Sequence, residues 1–238
     1  MALDEALLEV ASRHPESPPV LHLYRKTPSV SLGYFQSVSE EVNIEICREL
    51  GVEIFRRTSG GGAIYEDENQ LIYGLVISSP KKWGIPSRTI EACRHINQGV
   101  INALLDFGIK ADFVPVNDIV VNGKKISGCA QTRRRGVLLQ HGTLLLSLNK
   151  EAMFSVLRVR AEKFREKGIR EARERVTSLE EVLGVKPSIE RMKKYLIKGF
   201  ETVLGTVFHP STPTPEEKEM QAHLIKERYG KDDWNFMR

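Results

Sequence analysis

The sequence predicts an α/β fold with a mixed, largely antiparallel sheet packed with helices. Short strand-like runs alternate with helix-like patterns in the first half of the chain. Four further strands are expected within residues 111–148, and the segments between them are too short for parallel crossovers. The residues beyond carry helical and strongly charged patterns. We therefore expect helices on a hairpin-rich sheet, followed by a helical C-terminal segment.

The helices are predicted from apolar residues at spacings of three and four. They are expected over 2–12, 39–50, 89–107 and 188–204, with a charged helical stretch over 151–175. A last helix is expected from Thr214, where a capping-box pattern with Glu217 begins, to Gly230. The strands are expected over 20–25, 29–33, 52–55, 71–78, 111–114, 118–121, 124–131 and 137–148. Asn122-Gly123 is a strong hairpin signal and places Lys124 and Lys125 at the start of a strand.

The composition is that of an ordinary globular protein. The chain has 238 residues, of which 41% are hydrophobic and 28% charged, enough for one or two domains. A formal net charge of +4 is too modest to indicate nucleic-acid binding. No apolar run approaches the roughly 18–20 residues of a membrane span, and no signal peptide is expected. Three scattered cysteines favour a reducing compartment, so we expect a cytoplasmic protein.

The most informative segment is residues 56–67, which begins Arg-Arg-Thr-Ser-Gly-Gly-Gly-Ala. Glycines without Cβ atoms allow backbone N–H groups to approach a ligand closely. Arg56 and Arg57 add charge suited to phosphate or carboxylate. A glycine hairpin flanked by solvated arginines is the alternative, and this segment alone does not decide between them.

Two further motifs complete a recognisable set. Residues 117–131 contain Asn-Asp, Gly-Lys-Lys-Ile-Ser-Gly-Cys-Ala, and residues 141–144 read His-Gly-Thr-Leu. With the glycine segment, and in this order, they resemble the lipoate–protein ligase A family within the biotin/lipoate ligase and octanoyltransferase superfamily. The resemblance covers about residues 1–183. It implies a catalytic domain over 1–184, similar to biotin ligases and class II synthetases, and a helical extension over 185–238.

The resemblance implies an ATP-dependent lipoate–protein ligase, or its catalytic subunit. Such an enzyme activates lipoate (or octanoate) with ATP and Mg²⁺ to lipoyl-AMP. It then transfers the acyl group to a lysine of a lipoyl carrier domain, such as a 2-oxoacid dehydrogenase E2 or a glycine cleavage H protein. The alternatives are an octanoyl or lipoyl transferase that needs no ATP, and a non-catalytic lipoyl-domain or lipoate-binding protein.

Residue roles follow from the same resemblance. Lys125 is the expected catalytic residue, because an ammonium would offset the repulsion between a carboxylate and the α-phosphate. Asp118 could hold Mg²⁺ or a ribose hydroxyl, although a turn-forming Asn-Asp pair is an alternative. His141 could position substrate or be a hydrogen-bonded structural residue. Lys124 and Arg56 are expected to face away from the site. The residues expected to bind ATP or lipoyl-adenylate are Arg57, Gly60, Gly61, Gly62, Ala63, Ile64, Tyr65, Asn117, Asp118, Lys125 and His141.

Several departures from the family pattern bear on the choice of reaction. Cys129 stands where most members have serine, and Glu66 where they have histidine. The positions of the nucleophilic cysteine in octanoyltransferases hold Lys110 and Leu138, which cannot form a thioester. We expect Cys129 to be a small buried thiol. Residues 185–238 are shorter than the extra domain of longer ligases, of about a hundred residues. Short members of the family either pair with a separate small subunit or are transferases that need no ATP, and we expect full ligation to need such an accessory subunit.

Overall fold

The computed structural model describes residues 1–158 and 172–238. The strands are β1 (Val20–Tyr24), β2 (Ser29–Leu32), β3 (Glu53–Arg56), β4 (Ile64–Glu66), β5 (Gln70–Ser78), β6 (Asp112–Val114), β7 (Asp118–Val121), β8 (Lys124–Arg134) and β9 (Val137–Leu145). They form a six-stranded sheet in the order β1-β5-β9-β8-β7-β6 and a three-stranded sheet in the order β3-β2-β4.

All neighbouring strands of the large sheet are antiparallel. In the small sheet β2 pairs with β3 in parallel and with β4 antiparallel. This confirms the predicted mixed, largely antiparallel α/β class. The two-residue hairpin at Asn122-Gly123 is also confirmed, with φ of 50° and 75° at its two residues.

The helices flank both sheets. They are α1 (Ala2–Ala11), α2 (Val38–Glu41), α3 (Ile44–Glu49), α4 (Thr89–Asp106), α5 (Lys150–Val156), α6 (Leu179–Leu183), α7 (Ile189–Leu204), α8 (Pro215–Leu224) and α9 (Asp232–Asn235), with a 3₁₀ turn over Pro80–Trp83 and a π turn over Ile225–Tyr229. The capping box predicted at Thr214 is present, with both reciprocal bonds to Glu217. None of these helices is long and apolar enough to span a bilayer.

Two predictions about the helices were wrong in detail. The helix expected over 39–50 is interrupted, because Val42 is extended and bridges to Leu157. Ile90, whose apolar spacing predicts the buried face of α4, is 45% exposed. In these two cases a tertiary contact or the local helix phase overrides the apolar spacing. The last helix ends at Gly230 as expected, and its final turn over Ile225–Tyr229 is a π turn. Most of the charged stretch predicted over 151–175 lies outside the described residues.

The main core lies between the large sheet and the helices α4 and α7. Met192, Leu196 and Phe200 of α7 are fully buried in the same cluster as Ile96 and Val100 of α4. The helix that follows residue 184 is thus packed into the core of the sheet domain. A second cluster lies beneath the small sheet, and a third under α1.

The contact between α4 and α7 depends on two facing glycines. A Cβ atom added to Gly199 would lie 2.0 Å from the carbonyl oxygen of Gly99. Alanine normally stabilises a helix interior relative to glycine by up to about 1 kcal/mol. Here Gly199→Ala is expected instead to lower the free energy of unfolding by about 1–3 kcal/mol, because the backbones must separate. Urea unfolding would measure the change.

The matched control is Lys194→Ala, which changes an exposed residue of the same helix. It should alter the free energy of unfolding by no more than about 0.5 kcal/mol. A Gly199→Ala protein as stable as the unmodified chain would contradict the close approach of the two helices.

Candidate functional site

A cavity lies between the two sheets and is lined by polar residues from each of the three sequence motifs. The large sheet contributes residues of β1, β5, β8 and β9, and the small sheet contributes residues of β2 and β4. Its lining residues are Met1, Tyr24, Ser31, Arg57, Ile64, Glu66, Ile72, Asn117, Lys125, Gly128, Cys129, Ala130, His141, Gly142 and Thr143. The cavity thus joins all three motifs in one place.

Lys125 enters the cavity from the start of β8. Its Nζ lies 2.6 Å from Oδ1 of Asp118, and its side chain remains 37% exposed. The side chain crosses directly over Gly128, where an added Cβ would lie 2.9 Å from Nζ. The backbone of Lys125 bonds to Arg175 and Thr177 on either side of Val176. Lys125 is therefore a partly solvated cation whose position is set by β7 and by the segment at 175–177.

The glycine bend is organised around the side chain of Arg57. The guanidinium donates to the carbonyl oxygens of Ser31 at 2.8 Å, Gly60 at 2.8 Å and Gly62 at 2.7 Å. Gly61 has φ of 96°, a conformation that glycine adopts without steric cost. Burial lowers the pKa of Arg57 to about 10, against the opposing effect of Glu66. Arg57 therefore remains charged near neutral pH, and its hydrogen bonds fix the conformation of the bend.

Arg56 points away from the cavity and is fully buried. Its Nη1 donates to the carbonyl oxygens of Gly33, Tyr34 and Gln36 at distances of 3.0, 3.2 and 2.7 Å. These hydrogen bonds connect β3 to the loop after β2. This placement agrees with the expectation that Arg56 faces away from the site.

His141 forms a buried polar connection between β9 and the glycine bend. Its Nε2 lies 2.6 Å from Oγ of Ser59, the residue before the triple glycine. Its Nδ1 faces Oδ2 of Asp4 at 4.0 Å, and Asp4 is also bonded to His22 and Tyr24. Burial lowers the pKa of His141 to about 3, with Asp4 opposing the shift and Arg57 adding to it. The imidazole is therefore neutral at physiological pH.

Cys129 lines the cavity as a buried thiol. It is 5% exposed, and its Sγ accepts a hydrogen bond from Nδ2 of Asn97 at 3.4 Å. The neighbouring thiol of Cys93, together with burial, holds the pKa of Cys129 well above its ordinary value. All three cysteines of the chain are buried and free. A thiolate at Cys129 is therefore disfavoured without a change in its surroundings.

The structure brings some of the expected binding residues to the cavity and places others elsewhere. Arg57, Ile64, Asn117, Lys125 and His141 line it. Asn117 donates from Nδ2 to the carbonyl oxygen of Cys129 at 2.5 Å, and Asp118 reaches the site through Lys125. Gly60, Gly61, Gly62 and Ala63 form the adjoining bend. Tyr65 instead packs into the core beneath the small sheet, because successive strand residues face opposite sides.

Several residues of the cavity were missed from the sequence. Tyr24 and Ser31 lie outside the three motifs, and Glu66 was noted only as a departure from the family pattern. Glu66 is 3% exposed and pairs with Lys26 at 2.6 Å. The alternation of His22 and Tyr24 on one strand face was an available signal for a polar lining.

A divalent cation in this site would need several acidic side chains directed at one point. Among residues 1–158 and 172–238, no cluster of three or more His, Cys, Asp or Glu side chains is arranged to hold a metal ion. Asp118, the residue expected to bind Mg²⁺, is occupied by Lys125. These residues alone do not form an Mg²⁺ site.

Comparison with known proteins defines the family. Residues 1–201 match the model of the lipoyl protein ligase A/B catalytic domain, so the chain belongs to that family of lipoate ligases and octanoyltransferases. Among curated relatives, octanoyltransferase LipM of Kyrpidia tusciae is 35% identical, over 99% of this chain and 93% of that protein.

Solved structures of lipoate–protein ligases share the fold. The bipartite lipoate protein ligase of Thermoplasma acidophilum, studied with its E2 lipoyl domain, is 32% identical with a TM-score of 0.88. The match covers 99% of this chain and 91% of that one. A lipoate–protein ligase A bound with ATP is 30% identical with a TM-score of 0.84, over 99% of this chain and 93% of that one. The family resemblance seen in the sequence motifs is thus confirmed.

The buried imidazole of His141 predicts a pH dependence of stability. Its pKa falls from 6.5 to about 3 on folding, so the unfolded chain binds the extra proton between these values. The stability linked to this group is complete above pH 6.5 and is lost as the pH falls toward 3. The loss is up to about 1.4 kcal/mol per pH unit.

The variant His141→Gln, which cannot titrate, is expected to show a smaller loss. Urea unfolding of both proteins between about pH 7 and about pH 5 would measure the difference in slope. Equal slopes for the two proteins would show that His141 is not held neutral in the fold.

Proposed function

We propose that this protein attaches a lipoyl or octanoyl group to a lysine of a lipoyl carrier domain, and that it first activates the acid with ATP. The observation that carries the proposal is the arrangement around Lys125. A partly exposed ammonium and a glycine bend ordered by Arg57 border one cavity, and Cys129, the cysteine among its described lining residues, is a poor nucleophile. This set suits a reaction between two anions better than formation of a thioester.

In the first step, a carboxylate oxygen of the acid attacks the α-phosphorus of ATP. The bond between the α- and β-phosphates breaks, and pyrophosphate leaves with the bonding electron pair. Both reactants are negative, so a cation placed between them lowers the barrier. Lys125 is suited to this role because its Nζ is held at 2.6 Å by Asp118 and remains partly exposed. The ion pair with Asp118 orients the ammonium.

In the second step, the neutral amine of the carrier lysine attacks the acyl carbon of the acyl-adenylate. An amide bond forms, AMP leaves, and the amine releases a proton. The bipartite relative from Thermoplasma acidophilum was studied with its E2 lipoyl domain, which supports this class of acceptor. We propose E2 lipoyl domains or glycine cleavage H proteins as carriers, and a cytoplasmic location.

We propose that the main chain of Gly60, Gly61 and Gly62 in the glycine bend binds the phosphates of ATP. Arg57 donates three hydrogen bonds to main-chain carbonyl oxygens. We therefore assign Arg57 to shaping the bend as well as supplying positive potential. ATP enters as its magnesium complex, and Mg²⁺ is part of the substrate in this proposal.

A second candidate function is octanoyl or lipoyl transfer from an acyl carrier without ATP. The curated relative at 35% identity is an octanoyltransferase, and this finding favours the transferase over the ligase. The reaction would require an acyl thioester on Cys129, the cysteine that lines the cavity. The raised pKa of Cys129 and its bond from Asn97 oppose that step, which is why the geometry favours the adenylate route.

An accessory subunit is proposed as the partner that completes ligation. The relative at 32% identity is a bipartite ligase. Carrier acylation by the purified chain should therefore be slow and should rise when such a small subunit is added. Full activity of the chain alone would contradict the proposed need for an accessory subunit.

Substitution of Lys125 tests the adenylate route. Lys125→Ala is expected to lower kcat for pyrophosphate release by about a hundredfold to a thousandfold, because the charge that builds in the transition state loses its cation. The matched control is the adjacent Lys124→Ala, whose side chain is exposed. It should keep kcat within about twofold. Equal activity of the two variants would remove Lys125 from the mechanism.

A second measurement separates the two candidate functions. The chain is incubated with an apo lipoyl domain and either octanoate with ATP or octanoyl thioester without ATP, and both proteins are weighed by mass spectrometry. We expect the carrier to gain an acyl group only with ATP, and the chain to carry no thioester. An ATP-independent gain that Cys129→Ser abolishes would establish the transferase instead.

A further inference from the structure

The end of the chain contacts both segments that border the glycine bend. We call residues 228–238 the C-terminal strap. It runs from the π turn after α8, through α9, to Arg238. The segments it touches are the end of β3 and the loop at 33–38 after β2, neither of which is close to it in sequence.

The first contact is with the backbone of Arg56, two residues before Thr58 and the bend. Nε1 of Trp234 donates to the carbonyl oxygen of Arg56 at 2.9 Å. The amide of Arg56 donates to Oδ1 of Asn235 at 3.1 Å. β3 pairs with β2 on its other side, and among the described residues no strand pairs with this edge of β3. Because Arg56 is fully buried, these two bonds satisfy groups that water cannot reach.

The second contact is with the loop at 33–38. The amide of Val38 donates to the carbonyl oxygen of Arg238 at 2.9 Å. The ring of Trp234 lies 5.8 Å from that of Tyr34. The amide of Tyr34 in turn donates to the carbonyl oxygen of Ser59 at 2.9 Å. This loop is therefore bonded to the strap on one side and to the start of the glycine bend on the other.

The strap is anchored at its beginning to a buried carboxylate of α1. The hydroxyl of Tyr229 donates to Oε2 of Glu5 at 2.7 Å, and Arg228 also pairs with Glu5. Glu5 is 2% exposed. Within the strap, Nδ2 of Asn235 donates to the carbonyl oxygen of Tyr229 at 3.1 Å. Glu5 on α1 is thus connected, through hydrogen bonds of Tyr229 and Asn235, to the backbone of Arg56.

We propose that Trp234 and Asn235 are positioning residues, which fix the main chain at Arg56 and thereby orient Arg57 and the glycine bend toward the cavity. The inference rests on the proposed function, in which the bend holds the phosphates of ATP. Misplacement of a binding group by about 1 Å can lower a rate by about a hundredfold. Residues far from the reacting atoms can therefore control the rate through the placement of the bend.

A strap that only stabilises the fold would have a different effect when its contacts are lost. Loss of its contacts would then lower the stability of the whole molecule, and activity would fall only as folded protein is lost. A positioning role instead requires a local effect at residues 56–62 in a protein that remains folded. Hydrogen exchange distinguishes these cases because it reports opening segment by segment.

The experiment uses the full chain with Asn235→Ala and Trp234→Phe, each of which removes one hydrogen bond to Arg56. The control is Lys231→Ala, a strap residue whose exposed Nζ pairs with Glu227 at 2.8 Å. Hydrogen exchange is followed by mass spectrometry in peptides covering 56–65 and α4. The values of kcat and KM for ATP-dependent adenylation are measured well below the melting temperature.

We expect each variant to exchange about fivefold faster over 56–62, with α4 unchanged, as the loss of one hydrogen bond implies. The value of kcat should fall about tenfold, with a smaller change in KM for the acid, and Lys231→Ala should match the unmodified chain. If Asn235→Ala does not fold, Trp234→Phe, which keeps an aromatic ring, carries the test.

Two results would overturn the inference. One is unchanged exchange over 56–62 in variants that fold. The other is a rise in exchange that is equal in α4, which would show global destabilisation. Absence of adenylation by the unmodified chain would count against the proposed function alone, since the exchange data still decide the role of the strap.

Discussion

The buried guanidinium of Arg57 is the interaction on which the shape of the cavity depends. Removing a cation from water is costly unless hydrogen bonds replace the lost solvation. Arg57 obtains that replacement from three main-chain carbonyl oxygens, of Ser31, Gly60 and Gly62. The same bonds fix the bend relative to β2. The charge and the loop therefore stabilise each other, and neither can be moved without exposing unpaired polar groups.

Around this point the cavity has an uneven distribution of charge. Arg57 and Lys125 supply positive potential from opposite sheets, while Glu66 is offset by Lys26. The buried imidazole of His141 stays neutral, so it adds hydrogen bonding without further charge. Positive potential of this kind favours an anionic ligand. Asp118 pairs with the ammonium of Lys125 at 2.6 Å and fixes its position in this structure.

Much of this arrangement could be predicted from the sequence, and the missed parts have a common cause. Local signals were sufficient for the Asn122-Gly123 hairpin and the Thr214 cap, because neighbouring residues determine both. The motifs, through family resemblance, located Lys125 and the glycine bend. The missed features depend on long-range contacts: Tyr24 enters the cavity from β1, and the interruption at Val42 follows from its bridge to Leu157. Tyr65 was assigned to the site from its position in a motif, although strand alternation turns it toward the core.

The dependence of the bend on distant segments has a thermodynamic origin. Glycine loses more conformational entropy on ordering than any other residue, so three in succession favour a disordered loop. Local sequence cannot offset this cost, because glycine has no side chain to pack. The offset must come from contacts such as Arg57, the bond of Tyr34 to Ser59 and the hydrogen bonds that Trp234 and Asn235 make to Arg56. The bend that we propose to bind phosphate is therefore ordered by contacts from the rest of the molecule, and several of these contacts come from residues distant in sequence.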